Sequence, residues 1–179
     1  MTALLAAVAL TVLAAPAMAQ PVAAAAPPRE HALAVAREII AAARYATLAT
    51  VAGSHDPRAR IVEPFPPDAG FAIFVATNPR SRKVAELQRV PQVTLLYFNA
   101  AGAEYVAVRG TATLVRDPEV KAAHWKDEWA TFYEGGPRGP NYLLIKVSPS
   151  QLEIVSPSRG FDTDKATWRP YIVELRPGR

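Results

Sequence analysis

The stretch "TNPRSRKVAEL", residues 77 to 87, carries three cations, Arg80, Arg82 and Lys83, together with the hydroxyl of Ser81. They stand where an apolar run ends and a helical pattern starts. Cations at a helix N-terminus are locally unfavourable, by about a few tenths of a kcal/mol each. A bound anion offsets that, because the unpaired N–H groups and the positive end of the helix dipole already favour negative charge. A hydroxyl donor beside a guanidinium capable of bidentate contact suits a phosphate. Charge runs are more often solvated helix faces, so it is the position of this one that carries the reading.

The rest of the chain must hold that corner in place. "EHALAVAREIIAAARYATLAT" puts Leu33, Ala36, Ile40 and Ala43 on one face and predicts an amphipathic helix to about Arg44. The period then changes. "YATLATVAG", "PRARIVEPF", "GFAIFVATN", "PQVTLLYFN" and "EYVAVRGTATLV" alternate or run apolar between turn residues, and predict five strands. "SRKVAELQRV" is a short helix between the third and fourth, with Val84 and Leu87 inward. "DPEVKAAHWKDEWATFY" predicts a third helix with Asp117 as cap, Pro118 at its first position, and Trp125, Trp129 and Phe132 at near-helical spacing. "NYLLIKV" and "QLEIV" predict two more strands joined by a turn at Ser148-Pro149-Ser150, and "YIVEL" a short edge strand. A long antiparallel series with few short helices predicts a closed or partly closed barrel, since closure removes unpaired edges.

Composition narrows the chemistry. The chain has 179 residues, 50% of them hydrophobic and 8% aromatic, which fits one domain with a substantial core. It has no cysteine, which excludes a disulfide, a thiolate nucleophile and a zinc–sulfur site. His31, His55 and His124 form no cluster at metal-ligand spacing, so no metal site is expected. A net charge of +4, concentrated near Arg80–Lys83 with Arg58 and Arg60 near in sequence, suits a small anion. Nucleic-acid binders spread cations along a whole face, so none is expected as a partner.

"MTALLAAVALTVLAAPAMAQ" is an uncharged apolar run that closes on Ala17-Met18-Ala19, a small-x-small cleavage pattern. The run is broken by Pro16 and falls short of the roughly 20 apolar residues that span a bilayer. The expected organisation is a signal peptide over 1–19, a flexible Ala/Pro linker over 20–29 and one ordered domain over 30–179. That organisation predicts an exported, periplasmic protein with no stable membrane anchor after cleavage.

The series "RIV", "GFAIFVATNPRSRKVAELQRVPQVTLLYF" and "EYVAVRGTATLV", covering roughly residues 34 to 155, resembles the FMN-binding split barrel of the pyridoxamine 5′-phosphate oxidase superfamily, and especially its general stress protein 26-like members. The resemblance implies a mainly β fold, a six-stranded antiparallel split β-barrel with short helices, that forms a homodimer with FMN at the subunit interface. Carried over by position, Arg82 and Lys83 match contacts to the FMN phosphate, with Ser81 beside them. Arg60, Ile61 and Val62 match the strand that flanks the flavin, and Ala76 and Thr77 the pair on the next strand that touches it. Tyr105 falls where vitamin B6 oxidases carry a flavin-contacting Gln.

The pattern departs at the substrate. B6 oxidases end the Arg-x-Val strand in a Lys that touches flavin and substrate, whereas "RIVEPF" has Glu63, Pro64 and Phe65 there. The Tyr, Arg and Ser that grip pyridoxine phosphate have no match in "KAAHWKDEWATFY". Oxidation of pyridoxamine phosphate is therefore not expected. Pro64 removes a ladder donor, so a bulge or strand end is expected there. Trp129 and its aromatic neighbours read as core packing or, alternatively, as a wall of the flavin pocket from a partner subunit. His124 reads as a packed side chain rather than the haem ligand of one branch of the superfamily. The functional expectation is an FMN-dependent oxidoreductase acting on a small molecule of unknown identity, with no catalytic residue named. The alternatives are a binding protein that holds flavin or haem without turnover, a deazaflavin-dependent reductase, and the same fold with no cofactor.

Overall fold

Alternating apolar residues build most of the structure. The computed structural model describes residues 27–175, so the expected leader and residues 20–26 of the expected linker lie outside the described residues, as do 176–179. The strands are β1 (Ala46–Ala52), β2 (Asp56–Val62), β3 (Ile73–Thr77), β4 (Gln92–Asn99), β5 (Glu104–Val115), β6 (Leu143–Val155) and β7 (Tyr171–Glu174). The helices are α1 (Arg29–Ala43), α2 (Arg82–Arg89) and α3 (Pro118–Ala123).

All pairings are antiparallel, in the order β2-β1-β4-β5-β6-β3, with β7 added to β6. The two ends of that path meet. Beyond the end of β2, Pro64 bridges Val75 of β3, and the Phe65 amide donates to the Phe74 carbonyl at 2.8 Å. The missing N–H of Pro64 thus falls where β2 stops and the sheet rolls into a split barrel.

Inward positions alternate as a half-buried sheet requires. Leu48, Val93, Leu95, Val106, Val108 and Leu152 are all at most 5% exposed. One end of the barrel is plugged by α1 through Ala32, Val35, Ala36, Ile39 and Ile40, and Leu33 and Ala43 pack at its margin. A second cluster lies outside the barrel, where Phe74 and Leu144 meet Trp129 and Tyr142.

Two expectations need correction. Ser148-Pro149-Ser150 is not a turn, because β6 runs through it as a single strand with a register shift opposite Arg109 and Gly110. Pro149 is tolerated because residues 148–150 fall between the part of β6 that pairs with β3 and the part that pairs with β7. The extra residue switches the inward parity from Ile145 and Val147 to Leu152 and Ile154. Gly110 permits the close approach, since a Cβ there would lie 2.8 Å from the Pro149 Cα.

The third helix is also shorter than expected. Asp117 caps it, accepting from the Glu119 and Val120 amides at 2.9 and 3.0 Å, but it ends after Ala123 and resumes as a 3-10 turn over Asp127–Thr131. The Tyr142 hydroxyl donates to the His124 carbonyl, the place a continuing helix would have filled with a backbone N–H. The break lets Trp125 and Trp129 pack edge-on, with ring centroids 6.4 Å apart.

Candidate functional site

Thr77 is the last residue of β3, and a tight turn follows it. The Asn78 carbonyl accepts from the Ser81 amide at 2.9 Å, and the Asn78 side-chain oxygen accepts from the Arg80 amide at 2.9 Å. That turn delivers Ser81 as N-cap of α2, yet its hydroxyl makes no capping bond to the helix. It lies 3.0 Å from the Thr77 hydroxyl, to which the Lys83 ammonium donates at 3.1 Å. Two hydroxyls and an ammonium therefore converge where the helix leaves its first N–H groups unpaired. Burial lowers the Lys83 pKa below its ordinary value, and the neighbouring Arg60 guanidinium adds to this, while Glu86 opposes it. No carboxylate lies within ion-pair distance of Lys83 among the described residues. A half-buried cation in that state is primed for an anion.

Arg60 behaves differently. Its guanidinium donates to Glu86 at 2.7 Å and to the Thr50 hydroxyl, so it ties α2 to β1 and β2. Burial alone would raise the Glu86 pKa, but hydrogen bonds from Thr50 and Arg60 and the charges of Arg60 and Arg82 hold it below 4.5. Arg60 thus supports the corner from behind.

The corner opens into a cleft of about 400 Å³. Its floor is the end of β2 and β3, with Ile61, Val62, Ala76 and Thr77, and Ser81 and Lys83 close one end. Trp129, Phe132 and Tyr133 form the far wall. Six sequence-predicted residues therefore share one cleft: Ile61, Val62, Ala76, Thr77, Ser81 and Lys83. Three do not line it. Arg60 is engaged with Glu86, Arg82 is exposed on the first turn of α2, and Tyr105 lies on the outer sheet face between Phe98 and Val155, three strands from β2.

The sequence does not single out Glu63 and Asn78 as cleft residues, whereas Phe132 and Tyr133 join Trp129 there, in the cleft of their own chain rather than of a partner. The Lys126 ammonium, at 3.0 Å, is the main reason the Glu63 carboxylate titrates below its ordinary range, although burial opposes it, and Arg44 assists. Lys126 also sits 5.6 Å from the centroid of Phe65, the position that lacks the family lysine. Trp129 lines the cleft of its own chain. His124 is packed, its ring 4.0 Å from that of Phe74 and its Nδ1 2.9 Å from the Val120 carbonyl.

The fold is a six-strand antiparallel split barrel with a basic helix start beside an aromatic-walled cleft. The profile of the family described as pyridoxamine 5′-phosphate oxidase matches residues 33–156, and the chain belongs to that family. Solved structures share the fold. General stress protein 26 from Bacillus anthracis str. Sterne is similar with a TM-score of 0.62 and 23% identity over 82% of this chain and 97% of that one. A pyridoxamine 5′-phosphate oxidase-related, FMN-binding protein of Nostoc punctiforme PCC 73102 has a TM-score of 0.56 and 18% identity, over 86% and 100% of the two chains. A heme-binding protein of Mycobacterium smegmatis gives 0.61 and 18%, over 84% of this chain and 59% of that one. No curated protein matches the sequence.

Proposed function

We propose that the chain is an FMN-binding flavoprotein and an oxidoreductase, working as a homodimer outside the cytoplasm. The observation that carries this reading is the Thr77–Ser81–Lys83 cluster, a cation without a carboxylate partner among the described residues, at a helix N-terminus that opens into an aromatic-walled cleft. Those residues fit a phosphate dianion: two hydroxyls, an ammonium and unpaired amides are all donors. Lys83 and Ser81 would hold the phosphate, Arg82 would add charge from the helix surface, and Ile61, Val62 and Ala76 would lie against the ring system. FMN, when bound, supplies the electron or hydride chemistry. The protein's own part is to anchor one end of the nucleotide and to keep water from its ring with Trp129 and Tyr133.

Dimerisation is supported by the outer sheet face. Ile61, Phe98, Tyr45 and Leu96 are 68%, 60%, 47% and 39% exposed, and Thr47 joins Ile61 to Leu96 in register. Tyr105 belongs to this face, so in a dimer it would approach the partner rather than its own cleft. Export rests on residues 1–19 of the sequence.

The test is the visible spectrum of the mature protein purified from its native compartment, followed by titration with FMN. Flavin bands, or their appearance with a quenched and saturable fluorescence titration, support the reading. A Soret band, or a colourless protein indifferent to FMN, refutes it. Reduction of the bound flavin by a pyridine nucleotide separates an oxidoreductase from a flavin carrier.

A further inference from the structure

The aromatic wall of the cleft carries two polar atoms that the phosphate corner leaves unused. Trp129 is 8% exposed, and the surface it keeps faces the cleft. Its indole N–H has no hydrogen-bond partner among the described residues, and neither has the hydroxyl of Tyr133 beside it. Both differ from the Tyr97 hydroxyl, which also lacks a partner but is sealed in the core with no surface of its own. A donor on a side chain nine-tenths buried that opens on a cleft points to an acceptor brought from outside the chain. Burial raises the Tyr133 pKa above its ordinary value, so the phenol stays protonated and remains a donor.

The wall is held rigid by its neighbours. The ring centroids of Phe65, Trp125 and Tyr142 lie 5.4, 6.4 and 6.3 Å from that of Trp129, and Tyr142 stands edge-on to Tyr133 at 5.0 Å. Donors fixed in this way need no reorganisation when charge grows on an oxygen in front of them. Ile61, Val62 and Ala76 supply an apolar floor, and Phe132, 76% exposed, adds apolar surface at the rim. The Glu63 carboxylate is answered by Arg44 and Lys126 at 3.2 and 3.0 Å, so its negative charge is already neutralised. Away from the phosphate corner, the lining therefore offers ring faces and hydrogen-bond donors.

We infer that the substrate of this cleft is a quinone, whose conjugated ring lies against the aromatic wall and whose carbonyl oxygens accept from the Trp129 indole N–H and the Tyr133 hydroxyl. The inference rests on the flavoprotein reading and names the substrate class of the same cleft. A quinone joins in one planar frame the two things the wall is built to meet, a ring face and an acceptor oxygen. It takes up two electrons and two protons from reduced flavin, which is thereby oxidised, and leaves as the hydroquinone; a reduced pyridine nucleotide is the class of reductant that closes the cycle. As the carbonyl oxygens gain charge both hydrogen bonds strengthen, so the wall favours reduction more than it favours binding. A substrate that brings only donors, such as an amine, leaves both wall donors unmet.

The test begins with FMN titration of the purified mature protein; absence of binding overturns the flavin reading and this inference with it. With FMN bound, the flavin is reduced anaerobically with dithionite and its reoxidation by 2-methyl-1,4-naphthoquinone is followed by stopped flow, with ferricyanide, which needs no pocket, as the reference. The expected result is a rate that saturates with quinone concentration and that falls at least ten-fold, relative to the ferricyanide rate, in Tyr133→Phe and in Trp129→Phe. Both variants keep an aromatic ring, and Tyr133 is only half-buried, so Tyr133→Phe should fold even if Trp129→Phe does not. By calorimetry, the oxidised protein should bind 2-methyl-1,4-naphthoquinone at least ten-fold more tightly than 2-methylnaphthalene, which has the same frame without the oxygens. With FMN bound, reoxidation that does not saturate, an unchanged ratio in Tyr133→Phe, or equal affinity for the two frames would overturn this inference and leave the flavin reading standing.

Discussion

Arg60 lies close enough to Lys83 to lower the ammonium's affinity for a proton, yet the two side chains occupy opposite states. Arg60 is paired with Glu86 at 2.7 Å and hydrogen-bonded to Thr50, behind α2. Lys83, in front of α2, has among the described residues only the Thr77 hydroxyl, at 3.1 Å. A charge satisfied within the fold contributes to the fold, whereas a half-buried charge with no counter-ion is held there at a cost that a ligand can offset. The contrast separates scaffold from site within a few residues of one another.

The largest test of that contrast is Arg60→Ala. It strands the Glu86 carboxylate, whose side chain is 10% exposed, and should cost about 3 kcal/mol or more in urea unfolding. Equal stability of wild type and variant would break the comparison. The next is acid. Glu86 has a folded pKa held below 4.5, so its contribution is complete above the unfolded value and is lost as pH falls through the folded one. Stability should therefore decline below about pH 4.5 in wild type, and less steeply in Arg60→Ala, as unfolding curves across pH 3 to 6 would record.

A smaller effect checks the helix that carries the aromatic wall. Asp117→Ala removes both capping bonds of α3 and should lower stability by about 1 kcal/mol, read by thermal unfolding. Smallest of all is Lys83→Ala without ligand. A change within about 0.5 kcal/mol, or a slight gain, is expected, because the variant loses a desolvated charge rather than an ion pair. With ligand the sign reverses for pH: FMN affinity should weaken as pH rises through the lowered Lys83 pKa, below 10.5.

The sequence made the corner legible because its chemistry is local: seven residues contain the strand end, the turn and the helix start. The same holds for barrel strands such as β1 and β4, whose alternation survives in their burial. What lay beyond reach was long-range. Glu86 meets Arg60 across 26 residues, and nothing in "RARIV" announces that its arginine is already engaged. Phe132 and Tyr133 reach the cleft beyond a break in the third helix at His124, whose carbonyl accepts from Tyr142, 18 residues away. The bulge at Ser150 was written in the parity change of β6, but Pro149 drew the reading toward a turn. Tyr97 looked like an ordinary inward residue of β4, because a missing partner has no sequence signature.

The central claim, a phosphate seated on Lys83 and Ser81, is tested most directly by comparing FMN with riboflavin, which differs only in lacking that group. Charge-assisted hydrogen bonds contribute about 1.5–3 kcal/mol each, so FMN should bind at least a hundred-fold more tightly to the wild type. In the double variant S81A/K83A the two affinities should converge. If riboflavin binds as well as FMN, or if the preference persists in the double variant, the phosphate sits elsewhere and the account is wrong.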